Sequence, residues 1–163
     1  MRYLVRERIF GIGDDYWIED EHGQRAFLVD GKALRVRQTF QLKDVQGEVV
    51  AVIRRKMLSL WESMTVERGG EQLVTVRKKR FTPLRDRFRA RLAGGAKLTV
   101  HGNVLDKEYD IEVEGRREAR ISRKWFRVRD TYAVDIEAPD ADVPMLLSVA
   151  VCVDALTQQR GEG

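Results

Sequence analysis

The stretch that decides the fold lies near the end of the chain: Pro144-Met-Leu-Leu-Ser-Val-Ala-Val-Cys-Val-Asp-Ala-Leu-Thr157. From Met145 to Val153 only Ser148 interrupts the apolar residues, so a helical wheel shows no polar face. A helix that is apolar all round belongs in a protein core or in a membrane. A span needs roughly 18–20 apolar residues; this run is shorter and carries Asp154 near its end. It reads as a buried core helix, with a tail anchor as the other reading. Asp140 or Asp142 can cap its first turn, and Pro144 is tolerated near a helix start.

Upstream of that helix the pattern is strand after strand. Leu34, Val36, Phe40 and Leu42 share one parity, and Arg35, Arg37, Thr39 and Gln41 the other, which is the period-2 signature of a half-buried strand. Turn signals at Glu21-His-Gly23, Asp30-Gly31, Asp44-Val-Gln-Gly47, Gly69-Gly70, Gly94-Gly95 and Glu114-Gly115 divide such runs. The spacing suits antiparallel meanders and leaves no room for crossover helices. About twelve strands are expected, over 3–9, 15–20, 25–30, 33–42, 48–56, 60–67, 71–78, 86–91, 96–101, 108–113, 117–124 and 131–137. A barrel of that size is too wide for its own side chains to fill, so it encloses a cavity or another element. The apolar helix, over 144–159, supplies that element. Its length of about 24 Å matches a strand of eight residues at about 26 Å. The expected fold is mainly β: one domain, 1–163, forming a closed antiparallel barrel around a buried hydrophobic C-terminal helix.

Composition sets further bounds. At 43% hydrophobic and 34% charged residues the chain is an ordinary globular protein, which excludes disorder. The single cysteine, Cys152, lies inside the apolar helix and cannot form an intrachain disulfide. With a charged N-terminus, Met1-Arg-Tyr-Leu-Val-Arg-Glu-Arg8, and no apolar signal segment, a reducing, cytosolic setting is expected.

The net charge of +4 is unevenly distributed. Residues 77–91 hold eight basic side chains against Asp86, and 116–129 hold seven against Glu118. Together these stretches carry +13, so the rest of the chain, with 15 basic and 24 acidic residues, stands at −9. A basic part set against an acidic one suits an anionic partner; the plain alternative is a strand face of solvated arginines. The candidate anion-binding residues are Arg77, Lys78, Lys79, Arg80, Arg85, Arg87, Arg89, Arg117, Arg120, Arg123 and Lys124.

Motifs for chemistry are missing from the sequence. His22 and His101 have no partner at ligand spacing, and no G-x-S-x-G, H-E-x-x-H or Walker sequence occurs. Asp14, Asp15, Glu19, Asp20 and Glu21 form an acidic cluster without the spacing of a calcium-binding loop. A metal site, a cofactor and an enzymatic activity are therefore not expected. Asp154 is read as structural: a carboxylate near the inner end of a buried helix must find donors, from backbone or from an arginine at the barrel mouth, or protonate.

Several segments, in order, carry a family resemblance. They are Tyr16-Trp-Ile-Glu-Asp-Glu-His-Gly23, the Val29-Asp-Gly-Lys32 turn, Leu42-Lys-Asp-Val-Gln-Gly-Glu-Val49, Glu118-Ala-Arg-Ile-Ser-Arg-Lys-Trp125, Asp130-Thr-Tyr-Ala-Val-Asp-Ile136 and Met145-Leu-Leu-Ser-Val-Ala-Val-Cys-Val-Asp154. In this order and spacing the chain resembles the LURP-one-related (DUF567) proteins of the tubby C-terminal-like superfamily, to which phospholipid scramblases also belong. The resemblance implies a twelve-stranded barrel around a hydrophobic C-terminal helix. Tubby domains bind phosphoinositides through basic side chains on the barrel, but no tubby lipid-binding motif matches this sequence residue by residue.

The first function expected is thus a binding module for anionic lipid headgroups or another phosphate-bearing ligand, cytosolic and peripheral at the membrane. Nucleic-acid binding through the same surface is the second, with Phe81, Phe88, Trp125 and Phe126 as stacking candidates. A protein-interaction barrel is the third. A scramblase-like or small-molecule-handling activity requires a cavity that the helix already occupies.

Overall fold

The computed structural model describes residues 1–6, 15–31, 39–58, 61–82, 85–103, 108–123 and 131–158. Twelve strands run up and down in chain order: β1 (Arg2–Arg6), β2 (Tyr16–Glu19), β3 (Arg25–Asp30), β4 (Thr39–Asp44), β5 (Val49–Leu58) and β6 (Trp61–Arg68) come first. Then follow β7 (Glu71–Thr82), β8 (Arg85–Arg91), β9 (Lys97–Asn103), β10 (Glu108–Val113), β11 (Arg116–Ser122) and β12 (Thr131–Ile136). Each pairs antiparallel with its neighbours in sequence, and β1 closes the barrel on β12 from Arg2↔Asp135 to Arg6↔Thr131. Among the described residues one helix occurs, α1 (Val143–Gln158). The strand expected at 33–42 begins at Thr39, and its first residues, like 7–9 of the first strand, lie outside the described residues.

Local chemistry accounts for the hairpins. Gly69 and Gly70, at φ 58° and 83°, form a two-residue turn with both φ positive, the geometry that fits the twist of paired strands. Glu114 and Gly115 do the same between β10 and β11. Asp20 and Asp44 act alike in two other turns: the Oδ1 of each accepts backbone N–H bonds from the residues two and four positions on.

Alternation sorts the strands into an inner and an outer face. Ile18, Leu42, Ile53, Met64, Phe88, Leu98, Ile111 and Tyr132 are fully buried inside the barrel. Leu146, Leu147, Val149, Ala150, Cys152 and Val153 of α1 are equally buried. A rod with no polar face meets a lumen lined mainly by apolar groups. The one polar interruption satisfies itself, because Ser148 Oγ donates to the Pro144 carbonyl at 2.7 Å.

Polar contacts hold the rod at both ends. At the N-terminus Asp142 is the cap: its Oδ1 accepts the Met145 N–H at 3.1 Å. Arg68 of β6 clamps the same carboxylate with two N–H bonds of 2.9 and 2.7 Å and donates a third to the Val50 carbonyl. Burial alone would raise the Asp142 carboxyl, but the Arg68 hydrogen bonds, the Met145 amide and the Arg68 charge outweigh it and hold it below the usual carboxylate range. Near the C-terminus, Arg123 forms an ion pair with the buried Asp154. Lys78 Nζ donates to the Leu156 carbonyl at 3.2 Å, supplying a partner for a last-turn acceptor.

Gly102 sits where β9 meets β10 opposite Tyr109. A Cβ there would lie 2.1 Å from the Glu108 carbonyl oxygen and 2.7 Å from the Tyr109 ring. Both obstacles are backbone or a buried ring, so neither can give way cheaply. Gly102→Ala is expected to lower stability by about 1–3 kcal/mol, read as a fall in the urea midpoint; an unchanged midpoint contradicts this packing. Asp142 gives a pH prediction. Its folded pKa is depressed, so its contribution is present above the unfolded value of about 3.9 and is lost as pH falls through the folded value. Asp142→Asn keeps a capping oxygen but loses the charge that Arg68 clamps; it is expected to cost about 0.5–1.5 kcal/mol at pH 7 and to flatten the acid limb of a stability–pH curve below about pH 4, and parallel curves for the two proteins would count against it.

Candidate functional site

The two basic stretches meet different fates in the folded barrel. On β7 and β8 strand alternation turns Arg77, Arg87, Arg89 and Arg91 outward and exposed, while Val76, Phe88 and Ala90 point into the core. The register sets Arg77 directly opposite Arg89 and Lys79 opposite Arg87. The next strand continues both rows, pairing Arg89 with Thr99, Arg87 with His101 and Arg91 with Lys97. Like charges thus face one another across neighbouring strands about 4.8 Å apart, an arrangement that costs stability unless something neutralises it.

Among the described residues, no carboxylate forms an ion pair with Arg77, Arg87, Arg89, Arg91 or Lys97. Elsewhere on the wall several cations are matched, while Lys56 of β5 reaches Gln72 Oε1 and Arg25 of β3 lies over the Trp17 ring. Arg2 pairs with Asp135, Arg6 with Glu19, Lys43 with Asp30, and Arg54 with Glu67.

The described arginines of the second basic stretch are matched too. Arg116 pairs with Glu118, Arg117 with Glu137 at 3.0 Å, and Arg120 with Asp110 at 2.9 Å. Arg117 and Arg120, expected as anion ligands, are ordinary cross-strand ion partners here. Arg123 is a further correction: it follows the inward parity of Ala119 and Ile121, lies against the Tyr132 ring and binds Asp154. Lys78 likewise shares the inward parity of Val74 and Val76, and its ammonium is taken up by the end of α1 and the Phe88 face. Lys79, Arg80 and Arg85 lie on β7 and β8, but their side chains, and the whole of Lys124, fall outside the described residues.

Four of these cations, Arg77, Arg89, Arg91 and Lys97, line a concavity of about 580 Å³ on the outer wall, together with Gln72 and Thr75. That volume lies within the range of small-ligand sites. Gln72 Nε2 donates to Thr75 Oγ1 at 2.8 Å, which leaves the threonine O–H available as a donor. Sequence reading missed Gln72, Thr75 and Lys97 as wall residues. Their membership depends on cross-strand register, whereas the outward parity of Arg91 was already visible in the Arg-x-Arg-x-Arg pattern of 87–91.

The other candidates for chemistry are occupied by structure. Burial pushes the Cys152 thiol far up, so no thiolate forms. His101 Nε2 lies 2.9 Å from Glu112 Oε1. Of the acidic cluster, Glu19 pairs with Arg6 and Asp20 organises its turn, while Asp14 lies outside the described residues. Among the described residues no three His, Cys, Asp or Glu side chains converge as metal ligands, and no helix is long and apolar enough to cross a membrane.

A closed twelve-stranded meander with its C-terminal helix in the lumen defines a class of protein, and comparison places the chain within it. The LURP-one-related family model matches residues 1–154, and the chain belongs to that family. It is similar to the uncharacterized protein YxjI of Bacillus subtilis (strain 168), 24% identical over 151 residues that span 93% of this chain and 90% of the relative. Its fold is similar to the X-ray structure of a protein from Arabidopsis thaliana, with a TM-score of 0.68 at 18% identity, covering 95% of this chain and 91% of the other.

The ion pair that seats α1 is open to a direct check. Arg123→Ala removes an ion partner of the buried Asp154 carboxylate and is expected to cost more than about 1 kcal/mol. Arg116→Ala, at an exposed pair, is expected to cost less than about 1 kcal/mol. Chemical denaturation of both variants reads the difference, and equal costs would contradict the seating role.

Proposed function

We propose that this protein is a non-enzymatic binding module that recognises phosphate-bearing anionic lipid headgroups through the outer face of β7, β8 and β9, acting peripherally at a membrane surface. One observation carries the reading. The exterior cations of this wall lack carboxylate partners among the described residues, while Arg2 of β1, Arg54 of β5 and Arg117 and Arg120 of β11 have them. A patch of facing arginines is stabilised by an anion that bridges them, and guanidinium forks suit phosphate oxygens. The likeness to tubby domains, which use basic side chains on the barrel wall, points the same way.

Of the four stacking candidates, Phe88 is buried in the core and offers no face to a nucleic acid base, while the side chains of Phe81, Trp125 and Phe126 fall outside the described residues. Each cation near an anionic bilayer contributes about 1 kcal/mol at low salt. Replacing Arg77 and Arg89 by Gln is therefore expected to weaken binding to phosphoinositide-containing vesicles by about thirtyfold. Arg2→Gln, which removes a matched cation, is expected to leave it almost unchanged. Vesicle sedimentation at low and at physiological salt measures both. Equal recovery on neutral and phosphoinositide-containing vesicles at low salt would overturn the reading.

A further inference from the structure

The β4–β5 hairpin ends in a tip whose chemistry is opposite to that of the basic wall. All five residues from Val45 to Val49 are exposed. Among the described residues the exposed large hydrophobics are Met1, Val45 and Val49, so this tip holds two of the three, at 55% and 46% exposure. Asp44 and Glu48 frame the turn, and among the described residues neither forms an ion pair with a lysine or an arginine. The neighbouring β2–β3 tip adds Asp20 and Glu21 at the same end of the barrel. The tip is also held in shape: Asp44 Oδ1 accepts the Gln46 and Glu48 N–H groups at 3.0 and 2.9 Å, and the Asp44 N–H donates to the Glu48 carbonyl at 2.9 Å. An apolar knob framed by carboxylates on a preorganised turn loses little freedom when it docks.

We infer that the outer sheet face of β7–β9 is an assembly surface that receives the β4–β5 tip of a second copy of this chain. The two patches complement one another in charge and in shape. The wall is concave and lined by Arg77, Arg89, Arg91 and Lys97, and Gly95, which also lines it, carries no side chain to fill it. The tip is convex and brings carboxylates. Docking sets Asp44 and Glu48 among guanidinium groups that otherwise face like charges across β7 and β8, and it covers Val45 and Val49. A chain cannot make this contact with itself, because β6 and the β6–β7 turn stand between β5 and the wall. The contact joins two different patches, so each added copy leaves one free tip and one free wall, and association continues. A hairpin tip buries less than a standard interface, which makes the contact weak and reversible. This inference goes beyond the headgroup reading and does not rest on it. Both use the same cations, so a bound headgroup and a docked copy exclude one another.

Sedimentation velocity of the intact protein reads the assembly. The weight-average mass is expected to rise with concentration at about 0.01 M salt and to return to that of the monomer at about 1 M, where the Debye length has fallen from about 30 to 3 Å. A tip variant, Val45→Ser with Glu48→Lys, is expected to weaken association by about tenfold or more. A wall variant, Arg77→Gln with Arg89→Gln and Arg91→Gln, is expected to do the same. All five side chains are exposed, so thermal midpoints near that of the wild type confirm that both variants fold. Glu48→Gln alone, the mildest change, is expected to move association in the same direction. Mixing the two variants gives the sharper result. One keeps an intact wall and the other an intact tip, so together they are expected to form one-to-one dimers that grow no further. Wild-type protein that stays monomeric up to about 1 mM at low salt overturns the inference. So does a tip variant that assembles like the wild type, or a mixture that stays monomeric. The tip variant keeps its wall and is expected to sediment with phosphoinositide-containing vesicles as the wild type does, so loss of assembly and loss of headgroup binding are read apart.

Discussion

A barrel of twelve strands cannot close on its own side chains, and every other feature of this protein follows from that geometric fact. The lumen is about as wide as a helix with its side chains, and one helix in the chain has no polar face to offer water. Filling the lumen with α1 buries the apolar faces of both elements at once. It also removes the interior as a working space. A ligand must be met on the outer wall, in the loops, or at the two ends.

The apolar contacts do not by themselves say how far along the axis the helix sits. Polar contacts at its two ends do. Arg68 and Asp142 hold the N-terminus against β5 and β6, while Asp154 and the Leu156 carbonyl bind Arg123 and Lys78 near the C-terminus. Several basic residues of the chain therefore serve the helix rather than a ligand. The same charge type does a third job on the wall, where ion pairs lace neighbouring strands together. What remains unmatched among the described residues is concentrated on β7, β8 and the start of β9.

Much of this was legible in the sequence. The unbroken apolar run from Met145 to Val153 marked the buried helix, and period-2 alternation between glycine-bearing turns marked twelve strands. Asp154 announced its need for a donor because a carboxylate in a greasy segment has few alternatives. The distribution of labour among the arginines was not legible. Whether Arg120 is free depends on Asp110 standing opposite it, and Arg123 turns inward by a parity that its run of charged neighbours conceals. Lys78 and Arg77 are adjacent in sequence yet end on opposite sides of the wall. Composition counts charges; only register tells which of them are already neutralised. Lys97 and Thr75 join the site for the same reason, brought to Arg91 from two flanking strands.

The dependence of barrel and helix on each other is tested most directly by native-state hydrogen exchange of the amides from Leu146 to Leu156. If α1 is the filling of the closed barrel, these amides open only with the whole molecule. Their exchange free energies should then equal the global unfolding free energy and fall together with it in denaturant. Exchange of the helix through a smaller opening, with the strands still protected, would show a barrel that stands without its filling and would contradict the account.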